Sequence, residues 1–160
     1  TRSGSVTGVQ TCALPIFLQS YFYNEVTLGS AKFKVSVEYK EFIENCMRIV
    51  EEHLLDDDFS IKVLATEIGM SHSNLYKKIR AVSGQSVNSF IRFVRLKKAA
   101  EYLISTEMNV NETATLVGFQ SIKYFRTQFH HLFGLNPSDY IKKFRKPFHN
   151  NQNLEHSVRR

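Results

Sequence analysis

Apolar residues recur three and four positions apart through much of the chain between residues 37 and 147, which is the period of amphipathic helices. The first such run predicts a helix over about 37–55, with Ser36 as its N-cap and an acidic outer face. Three consecutive aspartates at 56–58 then interrupt the pattern. We therefore expect the chain to leave the first helix at this point.

The next part of the pattern occurs twice. The segment 60–69 reappears as 109–118, and each copy is followed by a second apolar period. Ser60 and Asn109 are suitable N-caps, and the glycine that ends each segment favours a tight turn after a short helix. The repeat predicts two helix-turn-helix units, one over about 60–83 and the other over about 109–133.

Two further helices complete the predicted fold. A long amphipathic run over about 87–104 would join the two units and set their spacing. Gly134 and Pro137 end the second unit and open a last helix around 138–144. The predicted fold class is all-α, with two helix-turn-helix subdomains joined by a long linker helix.

The second helix of each unit has an apolar face and a polar, cationic face. The apolar positions, which we expect in the core, are Leu75, Ile79, Val82, Phe125, Phe129 and Leu132. A helix with a cationic outer face suits a DNA major groove, where its side chains meet base edges and flanking cations meet phosphates. The candidate DNA-binding residues are Ser71, His72, Ser73, Asn74, Tyr76, Lys77 and Arg80 in unit one, and Gln120, Ser121, Lys123, Tyr124, Arg126, Thr127 and His130 in unit two.

The types of these residues suggest specific partners on DNA. Lys77 and Arg80 suit guanine acceptors, whereas Asn74 and Gln120 suit adenine. Two units on one rigid linker would reach successive major grooves on one face of the duplex, about 34 Å apart. The candidates for phosphate contacts are Lys78, Lys97 and Lys98. For the two lysines on the linker helix, plain solvation explains the charge equally well.

The charge distribution favours an anionic partner. The net charge of +6 and the pI near 9.4 do not by themselves separate nucleic acid from acidic protein or membrane. Residues 68–100 and 113–138 contain no Asp or Glu, and these two windows coincide with the repeated units. The basic surface is therefore expected on the repeat.

Other kinds of site find little support. Cys12 and Cys46 are the only cysteines, which argues against a disulfide framework or a zinc cluster and favours a reducing compartment. His130 and His131 point about 100° apart on a helix, so they cannot ligate one ion together. The sequence has no phosphate-binding glycine loop and no nucleophile-and-base motif. We expect no enzyme activity, no metal and no cofactor.

The ends of the chain carry separate expectations. Residues 1–16 do not begin with Met and resemble the translation of a sequencing adapter, so we expect a non-native segment; an ordinary loop is the alternative. Residues 17–36 have the pattern of a connector from an upstream domain, and residues 148–160 that of a flexible tail. The apolar runs fall short of the roughly 18 residues that a membrane span needs, and we expect a cytoplasmic protein.

Several segments resemble the double helix-turn-helix domain of the AraC/XylS transcription regulators. The matching segments are 61–71, 95–103, 110–119, Tyr124-Phe125 and 133–140. The resemblance covers about 38–143, and the order of several motifs makes it specific. It implies a homeodomain-like, all-α fold and a bacterial, sequence-specific DNA-binding regulator without catalysis of its own.

One local motif resembles a narrower group. Asn74-Leu75-Tyr76 and the Gly84-Gln85-Ser86 that follows are similar to the output domain of hybrid two-component regulators of Bacteroidetes-type bacteria. This implies sensor, kinase and receiver modules upstream in a parent protein, with operator DNA and RNA polymerase as partners. Ile122 departs from the pattern, because it sits toward the core and narrows the polar surface of unit two. The alternative function is a sequence-blind nucleic-acid or protein-interaction module.

Overall fold

The computed structural model describes residues 37–146, which contain helices and no strand. Within this range the helices are α1 (Val37–Glu52), α2 (Ile61–Glu67), α3 (His72–Ser83), α4 (Val87–Ser105), α5 (Val110–Leu116), α6 (Ile122–Phe133) and α7 (Pro137–Phe144). The predicted all-α class and helix order are confirmed. The predictions for residues 1–16, 17–36 and 148–160, and for the cap at Ser36, lie outside the described residues. Among these seven helices, none combines the length and the apolar composition of a membrane span.

Side-chain caps explain where the helices of the two units begin. The hydroxyl of Ser60 accepts a hydrogen bond from the backbone N–H of Val63 at 3.4 Å. Asn109 forms the predicted capping box with Glu112, whose carboxylate accepts a hydrogen bond from the Asn109 N–H at 2.9 Å. These bonds satisfy N–H groups that have no partner within the first helical turn.

The first helix ends earlier than its apolar pattern predicted. We expected it to reach Leu55, but α1 ends at Glu52, and the His53 N–H donates instead to the Val50 carbonyl in a tighter turn. Leu54 is buried while Leu55 is 64% exposed. The chain therefore turns as soon as Leu54 has reached the core.

His53 holds this turn through both ring nitrogens. Nδ1 lies 3.0 Å from a carboxylate oxygen of Asp56, and Nε2 lies 2.8 Å from one of Glu67 on α2. The ring also stacks on Phe59 at a centroid distance of 5.0 Å. These contacts take the place of another turn of α1, which explains why the helix stops short of its predicted end.

The His53 contacts predict a pH dependence of stability. The hydrogen bond to Asp56 is the largest influence that raises the pKa of His53, and the bond to Glu67 raises it further. The hydrogen bond with His53 in turn lowers the pKa of Asp56. Because the folded pKa of His53 is raised, its contribution is fully present below the unfolded pKa of about 6.5 and is lost as pH rises through the folded pKa. We expect NMR titration to give a raised His53 pKa that falls in Asp56→Asn. An unchanged pKa in that variant would remove Asp56 as the cause.

Two hydrophobic cores share the long helix α4. Helices α1 and α3 pack against its first half, with α2 packed on α1 and α3, and α5, α6 and α7 pack against its second half. The α4 residues in the first core are Val87, Phe90, Phe93 and Val94, and those in the second are Leu96, Ala99, Ala100 and Leu103. The linker helix is therefore a structural member of both units.

Contacts from outside the second unit hold its turn. Leu54, which follows α1, is buried in the second core. Gly118 has a φ of +81°, and a Cβ at this position would collide with the Leu54 carbonyl oxygen and lie 2.9 Å from Nη1 of Arg95. Arg95 on α4 donates from Nη1 to the Gly118 carbonyl oxygen at 3.0 Å. The turn of unit two is thus packed against both α4 and the end of α1.

Cys46 should be unreactive while the protein is folded. It is fully buried in the first core, and this burial raises its pKa to about 12, against a smaller opposing effect of Lys78. Because the thiolate is the reactive form, we expect slow alkylation of native Cys12→Ser protein and rapid alkylation in denaturant, measured by mass spectrometry. Equally rapid labelling of the native protein would contradict this burial.

Candidate nucleic-acid interface

The second helix of each unit is anchored by its apolar face. Leu75 and Ile79 of α3 are fully buried in the first core, and Phe125 and Phe129 of α6 are fully buried in the second. Because an α-helix has 3.6 residues per turn, the side chains opposite these anchors point outward. We call α3 and α6 the recognition helices.

The seven DNA-binding residues predicted for unit one are all exposed. They form the recognition face of unit one: Ser71, His72, Ser73, Asn74, Tyr76, Lys77 and Arg80. The Ser71 hydroxyl accepts a hydrogen bond from the Asn74 N–H at 3.3 Å, so this side chain caps α3. The rings of His72 and Tyr76 lie against each other, with centroids 5.0 Å apart.

The seven residues predicted for unit two are also exposed. They form the recognition face of unit two: Gln120, Ser121, Lys123, Tyr124, Arg126, Thr127 and His130. Ser121 caps α6 by accepting a hydrogen bond from the Tyr124 N–H at 3.2 Å, and the Thr127 hydroxyl donates to the Lys123 carbonyl at 3.1 Å. Ile122 packs against the second core, as its position in the pattern predicted.

The cations on the two recognition faces are not neutralised within the described part of the chain. Lys77 and Arg80 on α3, and Lys123 and Arg126 on α6, have no carboxylate within ion-pair distance among residues 37–146. The first turns of both recognition helices also lack acidic residues. Each face therefore presents positive charge to an anionic ligand.

Lys78, a predicted phosphate contact, faces a different environment on the side of α3 that meets α1. Its ammonium group lies 3.2 Å from a carboxylate oxygen of Glu38 and 4.6 Å from the centre of the Phe42 ring. These contacts attach the recognition helix to α1. A phosphate would have to replace the Glu38 carboxylate, so the phosphate contact stays a prediction.

Lys97 and Lys98 on the linker helix also have carboxylate partners. Lys97 lies 3.5 Å from Glu101, and Lys98 lies 3.0 Å from Glu101 and 3.2 Å from Glu51 of α1. The hydrogen bond to Glu101 is the largest influence that raises the pKa of Lys98. These ion pairs lie within α4 and between α4 and α1. The predicted phosphate contacts of the two lysines stay predictions as well.

Arg92 on α4 was not among the predicted site residues. Its Nη1 donates to the Tyr124 hydroxyl at 2.6 Å, and its Nη2 donates to the Ser89 hydroxyl at 3.1 Å. Arg92 therefore connects the linker helix directly to the recognition face of unit two. The available signal in the sequence was its place in an acid-free window, which it shares with many other cations.

The comparison with known proteins agrees with this geometry. A family model described as a helix-turn-helix domain matches residues 64–143, which is half of the chain. The histidine kinase P4 of Formosa agariphila is 29% identical over 131 residues, which are 82% of this chain and 10% of the kinase. The chain spans 10% to 30% of the length of the first curated relatives that it matches.

Two solved structures have the same fold. The C-terminal domain of the two-component response regulator YesN of Fusobacterium nucleatum is 30% identical, with a TM-score of 0.52 over 65% of this chain and 98% of that domain. The DNA-binding domain of the global transcriptional factor AdpA, solved with a target DNA, is 24% identical, with a TM-score of 0.55 over 64% of this chain and 91% of that domain. The chain therefore belongs to the AraC/XylS family of helix-turn-helix transcription regulators and carries the DNA-binding domain of that family.

Proposed function

We propose that this domain reads two successive major grooves of an operator, with α3 in one groove and α6 in the next. The main support is that both recognition faces are exposed and carry cations without a carboxylate partner among the described residues. A major groove is wide enough to admit an α-helix. Because α4 belongs to both cores, it would hold the recognition helices at a fixed separation, which should match one helical turn of DNA, about 34 Å.

On each recognition face, some side chains would contact bases and others would contact the DNA backbone. Lys77 and Arg80 have the donors to contact guanine, and the amides of Asn74 and Gln120 can pair with adenine. The other exposed members of the two faces would complete the contacts to bases and phosphates: His72, Ser73, Tyr76, Lys123, Tyr124, Arg126, Thr127 and His130.

Ser71 and Ser121 would act mainly by positioning. Their hydroxyl oxygens already accept hydrogen bonds from the first turns of α3 and α6. Each hydroxyl can still donate its proton to a nearby phosphate oxygen. These two serines would therefore fix the depth at which each recognition helix begins.

The parent protein would place this domain at the output end of a signalling pathway in the cytoplasm. The similarity to one-tenth of a histidine kinase and to the C-terminal domain of a response regulator supports upstream sensor and receiver modules. In this arrangement any phosphotransfer chemistry belongs to those modules, and this domain binds DNA without catalysis. RNA polymerase would be the further partner through which binding changes transcription.

Selection of the purified full chain against a randomised duplex library tests the proposed function. We expect enrichment of two short motifs about one helical turn apart. One motif would mean that a single unit reads bases. No enriched motif, together with tight binding to any duplex, would favour the sequence-blind alternative.

The dependence of affinity on salt separates DNA from a protein partner. Each neutralised phosphate should contribute about −0.9 to the slope of log affinity against log salt concentration. We expect a slope that corresponds to several phosphates, measured by fluorescence anisotropy on the selected duplex. A flat response would remove the DNA backbone as a partner.

A further inference from the structure

Arg92 occupies a position between the two recognition faces. It lies on α4, one turn after Ser89, and its Nη1 reaches Tyr124 on α6 at 2.6 Å. A guanidinium group has five N–H donors, and the bonds to Ser89 and Tyr124 use two of them. The remaining donors are available to a ligand that approaches along the recognition face of unit two.

The charge of Arg92 is not balanced by a carboxylate in the part of the chain that the structure describes. This separates it from Lys97 and Lys98, which are paired with Glu101. Arg95 has no carboxylate partner in this range either, but it is half-buried and its Nη1 donates to the Gly118 carbonyl. Arg92 thus combines a charge without a carboxylate partner with free donors at an open site.

Two open clefts meet at Arg92. The larger, of about 310 Å³, lies between the end of unit one at Gln85 and the second half of α6 at Gln128 and His131. The smaller, of about 260 Å³, is bordered by Gln120 and Tyr124 of the recognition face. The described residues that line the two clefts include no carboxylate. Both clefts are therefore open to an anion.

The geometry points to Arg92 as a third DNA contact, which binds a backbone phosphate between the two major grooves. This inference rests on the proposed function and adds to it a phosphate site on the linker helix. The hydroxyls of Ser89 and Tyr124 hold the guanidinium group in place, so its remaining donors are oriented before DNA arrives. Arginine suits such a site because its planar group can give two parallel hydrogen bonds to one phosphate.

Binding of a phosphate at Arg92 would also link affinity to the placement of unit two. The same guanidinium group would hold the DNA backbone and the Tyr124 hydroxyl, so the duplex and α6 would share one fixed point. A backbone contact carries no base preference, and removal of Arg92 should weaken all sequences alike.

The test compares Arg92→Gln with Arg48→Gln in the full chain. Both variants remove one positive charge, but Arg48 lies on α1, where it is exposed and paired with Glu52. For Arg92→Gln we expect roughly tenfold weaker binding, a salt slope smaller by about 1 and an unchanged base preference. For Arg48→Gln we expect the wild-type slope. Arg92→Lys should restore the slope and only part of the affinity.

Neutral methylphosphonates locate the contact on the DNA. Phosphates between the two selected motifs are replaced one at a time, and wild-type protein should lose affinity at one position to which Arg92→Gln is insensitive. Equal sensitivity of both proteins, or an unchanged salt slope in Arg92→Gln, would overturn the inference. A changed preference for motif spacing at an unchanged slope would also overturn it, because Arg92 would then only position α6. Failure of the wild-type chain to select any motif would instead count against the proposed function.

Discussion

Replacing Gly118 with alanine should destabilise the domain by about 3 kcal/mol or more, because two penalties act together. An L-residue at the observed φ of +81° is strained by about 1–2 kcal/mol. In addition, the new Cβ would collide with the Leu54 carbonyl oxygen and crowd Arg95. The turn of unit two would have to move away from α1 and α4 to make room.

Gly69→Ala is the matched control for this prediction. Gly69 occupies the equivalent turn of unit one with a φ of +71°, but its Cβ would meet no atom within 4 Å. This variant should therefore be destabilised only by the conformational penalty, about 1–2 kcal/mol. Urea denaturation followed by circular dichroism measures both variants. Equal losses for Gly69→Ala and Gly118→Ala would show that the close approach to Leu54 is relieved at little cost.

Arg80→Ala and Lys77→Ala should each weaken binding to the selected duplex by about 1–3 kcal/mol if the side chains contact bases. Both side chains lie on the recognition face of unit one, and neither has a carboxylate partner within residues 37–146. Their truncation should leave the fold intact because the α3 anchors are Leu75 and Ile79. The measurement is anisotropy on the selected duplex and on duplexes with single base changes.

Arg48→Ala provides the control for charge alone. Arg48 is exposed on α1 and paired with Glu52 at 2.7 Å, so its loss changes the net charge without touching a recognition face. We expect this variant to bind nearly as well as the wild type. If Arg80→Ala weakens every duplex equally and keeps the wild-type base preference, Arg80 contacts phosphate and not a base.

Local sequence signals predicted most of the helices because each signal acts over a few residues. Ser60, Ser71 and Asn109 cap the helices that they were expected to cap, and Gly84 adopts the left-handed conformation that ends α3. The recognition faces also followed from periodicity, since burial of one helix face leaves the opposite face exposed. Such inferences require no knowledge of which helices meet.

Contacts between distant segments could not be predicted in this way. The pattern extended α1 to Leu55, whereas the bond from His53 to Glu67 on α2 helps to end it sooner. From the sequence, Lys98 was a candidate for a phosphate contact or for plain solvation, but it pairs with Glu51 from another helix. A one-dimensional pattern shows the type of charge at a position and not the partner that folding brings to it.

Because both cores share α4, the length of this helix determines the separation and the relative rotation of the two recognition helices. One residue inserted between Val94 and Leu96 would rotate unit two by about 100° and move it about 1.5 Å along the helix axis relative to unit one. With the first recognition helix in its major groove, the second would then face away from the next major groove. Insertions within this helix should therefore be far less tolerated than insertions in a loop, and related domains should change their target by substitution on the recognition faces and not by a change in spacing.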